Sequence, residues 1–211
     1  MVTWGLTCVA GAYLLACFPS SIVMALAAGR REIVAEMSRG DSKADAHYLL
    51  RTNGMGGLAT AAVCVDILKV GVPLLAARLL DVPEWTLAGM AVAAVLGSTW
   101  PFAWRRAAGR GLSATAGACL VIMPPAMFLA GAITGLGTLA KRSGVASTIG
   151  FSLLPAAGWA MGEPWERVAA SGAMLIMVGG RRLEGWRGDV ASGLRPWRVL
   201  VNRLVHDEAV H

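Results

Sequence analysis

The chain alternates long apolar stretches with short polar connections. Most of the stretches are long enough for a helix to cross about 30 Å of hydrocarbon at about 1.5 Å per residue. They cover residues 3–29, 54–80, 85–104, 111–140, 144–162 and 168–180. The last stretch is short, but it is sufficient if its helix begins near Trp165. The pattern therefore predicts an all-α, polytopic membrane protein.

The composition supports a single membrane domain. Of 211 residues, 56% are hydrophobic and only 15% are charged, which is too apolar for a soluble domain of this size. We expect a transmembrane domain over residues 1–180 and a basic cytoplasmic tail over residues 181–211. The net charge of +6 does not indicate nucleic acid, because the basic residues lie between the apolar stretches, where they set topology and attract anionic lipids.

The basic residues predict the orientation of the chain. Sixteen of the 19 Lys and Arg residues fall in the connections 30–53, 105–110 and 141–143 and in the tail. The opposing connections carry only Arg78 and Arg167. Because positively charged loops stay in the cytoplasm, we expect an external N-terminus and a cytoplasmic C-terminus.

The stretch 111–140 decides the number of helices. A single crossing there would place Lys141, Arg142 and the six arginines of the tail outside. Pro124 and Pro125 lie at its middle, where missing amide donors and fixed φ angles favour a helix break. We therefore predict a short hairpin, or a re-entrant pair, and seven membrane-embedded helices in all.

Two ionisable residues lie inside the second apolar stretch. Asp66 and Lys69 are three residues apart and so share one face of a helix. Charges at membrane depth are costly and tend to be paired or functional. The sequence leaves two interpretations open, an ion pair that fixes helix packing and a direct role near a site.

The sequence carries none of the common catalytic or metal signatures. The four cysteines lie inside apolar stretches without paired spacing, and His47 is a lone loop histidine. Thr52 stands where a His-x4-Asp acyltransferase signature would need its aspartate. No Gly-x-Ser-x-Gly elbow, Walker loop or zinc cluster is present, so we expect no cofactor or metal and assign no catalytic residue.

Residues 16–19, 66–70, 97–101, 108–114 and 142–147 resemble, in this order, the motifs Gly-Ser-Ile-Pro, Asp-x-x-Lys-Gly, Gly-His-x-Phe-Pro, Gly-Gly-Lys-Gly-Val-Ala-Thr and Arg-x-Ser-x-Ala-Ser. These are motifs of one known family, which the chain therefore resembles: the bacterial acyl-phosphate:glycerol-3-phosphate acyltransferases, or PlsY family. The similarity runs in order through nearly the whole chain. It implies a seven-helix bacterial inner-membrane protein with its site on the cytoplasmic side.

The chain departs from this family at several motif positions. The family's phosphate loop meets residues 40–48, where the motif serine becomes Asp41 with Ser42 adjacent, although the following arginine is retained as Arg51. The family's lysine becomes Arg110, and the histidine of its third helix becomes Ser98. Its His-Arg-x-Asn-Ile pattern survives only loosely, at residues 182–186.

The resemblance implies transfer of an acyl group from acyl phosphate to glycerol 3-phosphate, or a similar phosphorylated alcohol, in phospholipid synthesis. It makes Arg51 and Arg110 candidates for binding phosphate groups, and Ser42 and Ser147 candidates for supporting hydrogen bonds. The altered motifs also leave a non-catalytic homologue possible, acting as a lipid-binding or scaffold protein. A small transporter is a third alternative, although no repeated pair of broken helices is evident.

Overall fold

The structure is a computed structural model that describes residues 2–38, 54–103, 109–184, 186–191 and 195–201. All regular elements in these ranges are α-helices. They are α1 Val2–Ala16, α2 Ser20–Ala27, α3 Arg31–Ser38, α4 Gly56–Leu79, α5 Glu84–Thr99, α6 Leu112–Ile122, α7 Pro124–Leu139, α8 Ser143–Ser152, α9 Leu154–Ala160, α10 Trp165–Leu183, α11 Trp186–Ala191 and α12 Pro196–Val201. The all-helical prediction is confirmed for the described part of the chain.

Two helical stretches in these ranges are long and apolar enough to cross a membrane, Thr3–Ala27 and Gly56–Leu79. The first is interrupted after Ala16, because Pro19 has no amide donor and precedes the new helix α2. Helix α4 continues through Pro73 without such a break.

The predicted break at the two prolines is present. Helix α6 ends at Ile122, Met123 is non-helical, and Pro124 and Pro125 occupy the first turn of α7. Proline is well tolerated there because first-turn amides have no partner within the helix. The resulting helices contain 11 and 16 residues.

The chain divides into two compact units, Met1–Ile122 and Met123–His211. In the first unit, α1 packs against α5, and α4 packs against both α2 and α6. The start of α1 contacts the start of α5, because a Cβ at Gly5 would meet Trp85. The end of α1 contacts the end of α5, because a Cβ at Gly97 would meet the backbone of Tyr13. These two helices are therefore parallel, and their glycines permit the close approach.

Helices α4 and α6 are parallel too. Ser113 lies beside Asp66, a Cβ at Gly117 would meet the Ile67 carbonyl, and Arg78 donates to the Val121 carbonyl. Asp66 is ten residues beyond the start of α4, or about 15 Å along its axis. The start of α6 therefore lies level with the middle of α4.

In the second unit, α7 packs along α8, and α9 packs against α10. Helix α10 begins at Trp165, as the length argument required, and continues through Arg181 and Arg182 to Leu183. The division between a membrane domain, 1–180, and a cytoplasmic tail, 181–211, stays a prediction.

Candidate functional site

Arg110 lies between Gly109 and Gly111, in the turn that leads into α6. Gly111 follows it with φ +78°, a backbone conformation that glycine adopts without strain. The Gly111 carbonyl accepts hydrogen bonds from the Thr115 amide, at 2.8 Å, and the Thr115 hydroxyl, at 2.9 Å. Arg110 itself is half-buried. The turn therefore holds a cationic side chain at the N-terminus of a helix, where the backbone dipole also favours an anion.

Next to this turn lies a hydrogen-bonded group that we name the Asp66 cluster: Phe18, Ser20, Asp66, Lys69 and Ser113. The Lys69 ammonium lies 2.8 Å from Asp66 Oδ1, 2.8 Å from the Phe18 carbonyl and 3.2 Å from Ser20 Oγ. An ammonium group has three hydrogens, so these three acceptors use its full capacity. The predicted pairing of Asp66 with Lys69 is present.

The Asp66 carboxylate is shared between two other helices. Its Oδ1 accepts from Ser20 Oγ at 2.6 Å, and its Oδ2 accepts from Ser113 Oγ at 3.0 Å. The Lys69 and Asp66 side chains are only 12% and 16% exposed. The cluster therefore ties α4 to the start of α2 and to the first turn of α6.

The second unit contains a different polar group, which we name the Arg182 cluster: Ser147, Thr148, Arg181, Arg182 and Glu184. Arg182 donates to Thr148 Oγ1 at 2.8 Å, and Arg181 pairs with Glu184. Both arginines are buried. This contact joins the first turns of α8 to the end of α10.

Ser147 lies beside Thr148 in that cluster and is buried. The hydroxyls of Ser147 and Thr148 both donate to the Gly144 carbonyl, each at 2.9 Å. As placed, Ser147 Oγ offers its lone pairs to a hydrogen-bond donor, such as an alcohol. It can donate to a phosphate only by giving up the Gly144 bond.

Of the four predicted site residues, the structure describes two, Arg110 and Ser147. Arg110 belongs to the first unit and Ser147 to the second. Ser42 and Arg51 lie outside the described residues. Among the described residues, no group of three or more His, Cys, Asp and Glu side chains is arranged to hold a metal ion.

Several residues of these clusters were not identified from the sequence. Ser20 and Ser113 are 46 and 47 residues from Asp66, and Thr148 is 34 residues from Arg182. Serine and threonine are common in membrane helices, where many bond to their own backbone. The position of Ser20 after Pro19, at a helix start, was the one local signal.

Comparisons with known proteins agree with this architecture. The family model for glycerol-3-phosphate acyltransferase matches residues 6–184. A glycerol-3-phosphate acyltransferase of Rubrobacter xylanophilus is 30% identical over 169 residues, covering 80% of each chain. One of Pseudomonas aeruginosa is 31% identical over 193 residues, covering 90% of this chain and 89% of its own.

The fold also matches solved structures of PlsY (YgiH), an integral membrane glycerol 3-phosphate acyltransferase. Its glycerol 3-phosphate form has a TM-score of 0.74 at 20% identity, covering 93% of this chain and 98% of that chain. Its lysophosphatidic acid form has a TM-score of 0.73 at 21% identity, covering 90% and 92%.

The fold and the sequence together define a helical membrane acyltransferase. The chain belongs to the glycerol-3-phosphate acyltransferase family, the PlsY family. The resemblance predicted from the sequence motifs is confirmed, and so is the prediction of a membrane enzyme of phospholipid synthesis. The non-catalytic alternative is not favoured.

Proposed function

We propose that the protein transfers an acyl group from an acyl phosphate to a hydroxyl of glycerol 3-phosphate at the cytoplasmic face of a bacterial inner membrane. The hydroxyl oxygen bonds to the acyl carbon, and the bond from that carbon to the phosphate oxygen breaks. The hydroxyl proton leaves with inorganic phosphate, so the products are an acylated glycerol phosphate and phosphate. The family assignment supports this reaction.

This reaction needs little help from a catalytic side chain. An acyl phosphate is an activated mixed anhydride, and phosphate is a good leaving group. Orientation of the two substrates and stabilisation of developing negative charge can therefore supply much of the rate. A site of arginines and hydroxyls, without a strong nucleophile, suits this chemistry.

The observation that carries the proposal is the turn at Arg110. Its side chain is half-buried, glycines precede and follow it, and the N-terminus of α6 begins two residues later. We assign Arg110 and Arg51 to the phosphate groups of the substrates. Ser42 and Ser147 are the candidates for a supporting hydrogen bond, either donated or accepted.

The activity is tested with purified protein in lipid, given an acyl phosphate and glycerol 3-phosphate, by measuring the acylated product. Arg110→Ala should lower acceptor use or turnover roughly 10-fold to more than 100-fold, because a charge-assisted contact is lost. Arg110→Lys should recover part of it, and Arg30→Ala, at an exposed basic residue, should change little. Equal rates in wild type and Arg110→Ala would refute the phosphate role.

A wild type that is inactive with every acyl phosphate and phosphorylated acceptor tried would favour the non-catalytic alternative. Correct insertion must then be verified in the same preparation. Equal amounts of wild type and variant in the membrane are required for either conclusion.

We also propose seven membrane-embedded helices with the N-terminus outside and the C-terminus in the cytoplasm. The parallel pairs α1/α5 and α4/α6 support it, because this topology requires the two helices of each pair to cross the membrane in the same direction. Four of the five exposed tryptophans among the described residues support it as well, since the topology assigns these four to the outer interface, where tryptophan is enriched, and the fifth, Trp197, to the cytoplasmic tail. The four are Trp4, Trp85, Trp159 and Trp165.

Membrane-impermeant cysteine reagents test this orientation in intact cells. Pro83→Cys and Pro164→Cys should react from outside, whereas Ser38→Cys and Ser192→Cys should not. External labelling of Ser38→Cys would overturn the orientation.

Reporter fusions test the hairpin. A reporter fused at Pro125 should behave as external and one at Lys141 as internal. An external reporter at Lys141 would instead indicate that residues 111–140 cross the membrane once.

A further inference from the structure

The Asp66 cluster is poorly suited to proton transfer or nucleophilic attack. Lys69 donates to three acceptors, one of them a backbone carbonyl, so it is placed as a hydrogen-bond donor and not as a base. Ser20 is only 3% exposed, and its hydroxyl donates to Asp66 while accepting from Lys69. A serine–lysine dyad would need a lysine placed as a base and an accessible serine. The cluster meets neither requirement.

The cluster is well suited to fixing two helix starts, and the linker before one of them, against one helix. Asp66 and Lys69 both come from α4. Their partners are Phe18 in the linker before α2, the first residue of α2 and the first turn of α6. Hydrogen bonds fix position and angle, whereas apolar packing between membrane helices tolerates sliding. The cluster therefore sets the register of α6 along α4.

We propose that Asp66 is a positioning residue that acts through Ser113 on Arg110. Ser113 is three residues after Arg110, and the bonds from Thr115 to the Gly111 carbonyl close the first turn of α6 directly after Arg110. When Ser113 donates to Asp66 Oδ2, the backbone that carries Arg110 is held at a fixed position along α4. This inference rests on the proposed role of Arg110 in phosphate binding.

An ion pair suits this function because the carboxylate needs a cation at membrane depth. Asp66 without Lys69 would be an isolated buried charge, which is costly at membrane depth. With Lys69 beside it, the carboxylate is paired and accepts from Ser20 and Ser113 together. Buried ion pairs contribute little net stability, and specifying register is a better-attested role for them.

The test compares Ser113→Ala with the matched variant Thr60→Ala in the acyltransferase assay. Ser113→Ala should raise the KM for glycerol 3-phosphate roughly 3- to 10-fold with a smaller change in kcat, because one hydrogen bond to the turn is lost. Ser113→Thr, which keeps the hydroxyl, should restore most of it. Thr60 bonds only to its own helix, at the Gly56 carbonyl, so Thr60→Ala should have no effect on KM.

A double-mutant cycle with Arg110→Ala separates positioning from general loss of structure. If Ser113 acts through Arg110, Ser113→Ala should have almost no further effect on KM once Arg110 is alanine. Independent effects in the two backgrounds would overturn the proposal. A second variant, Asp66→Leu with Lys69→Met, removes both charges and should insert normally but show the raised KM. A normal KM there would also overturn it.

A readout without catalysis distinguishes this inference from the proposed function. In a variant whose four native cysteines are replaced, Leu112→Cys at the first residue of α6 is labelled with a maleimide. Ser113→Ala should speed labelling several-fold, because the turn is released, whereas Thr60→Ala should not. An inactive wild type with faster labelling would defeat only the proposed function. Unchanged labelling would refute the positioning role even in an active enzyme.

Discussion

The two polar clusters hold their helices in different ways. In the Asp66 cluster an acid and a base come from the same helix turn and reach out to neighbouring segments. In the Arg182 cluster a buried arginine reaches a neutral hydroxyl on another helix. At its contact between helices the first cluster has an ion pair, and the second has a hydrogen bond from an arginine to a hydroxyl.

This difference determines what a substitution leaves behind. Removal of Asp66 leaves an ammonium without its carboxylate at membrane depth, which is among the most costly defects a protein can carry. Removal of the Thr148 hydroxyl leaves the Arg182 guanidinium with one N–H group that has lost its acceptor. The guanidinium keeps its other N–H groups, and its charge is delocalised. The clusters should therefore differ in their sensitivity to single substitutions.

The largest expected effect comes from Asp66→Ala. The variant should lose about 3 to 5 kcal/mol of stability, because Lys69 loses the carboxylate that compensates its buried charge. Thermal unfolding in detergent measures this as a large fall in Tm. Asp66→Leu combined with Lys69→Met is the control and should recover most of the loss. If the double variant is no more stable than Asp66→Ala, the uncompensated charge is not the cause.

A smaller effect is expected from Gly117→Ala, which tests the helix contact beneath the Asp66 cluster. A Cβ there would lie 2.5 Å from the Ile67 carbonyl oxygen, so α6 must move away from α4. Overpacking of this kind costs about 1 to 3 kcal/mol. Gly131→Ala in α7 is the control, because a Cβ at Gly131 meets nothing within 4 Å. Equal unfolding temperatures for the two variants would show that α4 and α6 are not in close contact.

The smallest effect is expected from Thr148→Val, which removes one hydroxyl from the Arg182 cluster and keeps the shape of the side chain. Hydrogen bonds between membrane helices average about 0.6 kcal/mol and reach about 1.7. The fall in stability should lie in that range and well below that of Asp66→Ala. Thr138→Val removes a hydroxyl bonded only to its own helix, and it should cost less. If Thr148→Val lowered the stability as much as Asp66→Ala, the two clusters would not differ in their sensitivity to single substitutions.

Local chemistry was sufficient to predict the helix break at Pro124 and to place Asp66 and Lys69 on one face of a helix. Proline lacks the amide that a helix interior requires, so the boundary at Pro124 could be placed from sequence alone. The length rule gave the start of α10 at Trp165, and the spacing of three put Asp66 and Lys69 on the same face of α4. The break before Ser20 was missed, because the apolar run 3–29 was treated as one helix although Pro19 interrupts it.

Contacts between distant helices could not be predicted in this way. Nothing in the sequence near Asp66 indicates that Ser113 lies beside it, because hydrophobic patterning places helices in a membrane without naming their neighbours. Gly131 and Gly135 are four residues apart, a spacing that favours close helix packing, yet a Cβ added at either position would meet nothing within 4 Å. Gly137 and Gly150 make the close contacts between α7 and α8 instead.

The parallel packing of α1 on α5 has a consequence for the order of assembly. Tyr13 bonds to the Trp100 carbonyl across 87 residues, which a ribosome adds in roughly 4 to 17 s at about 5 to 20 residues per second. During synthesis, α1 therefore resides in the bilayer for seconds before its partner exists. The two stretches that are long and apolar enough to remain there alone, Thr3–Ala27 and Gly56–Leu79, are also the first two in the chain. The shorter helix α6 follows them and finds α4 already in place.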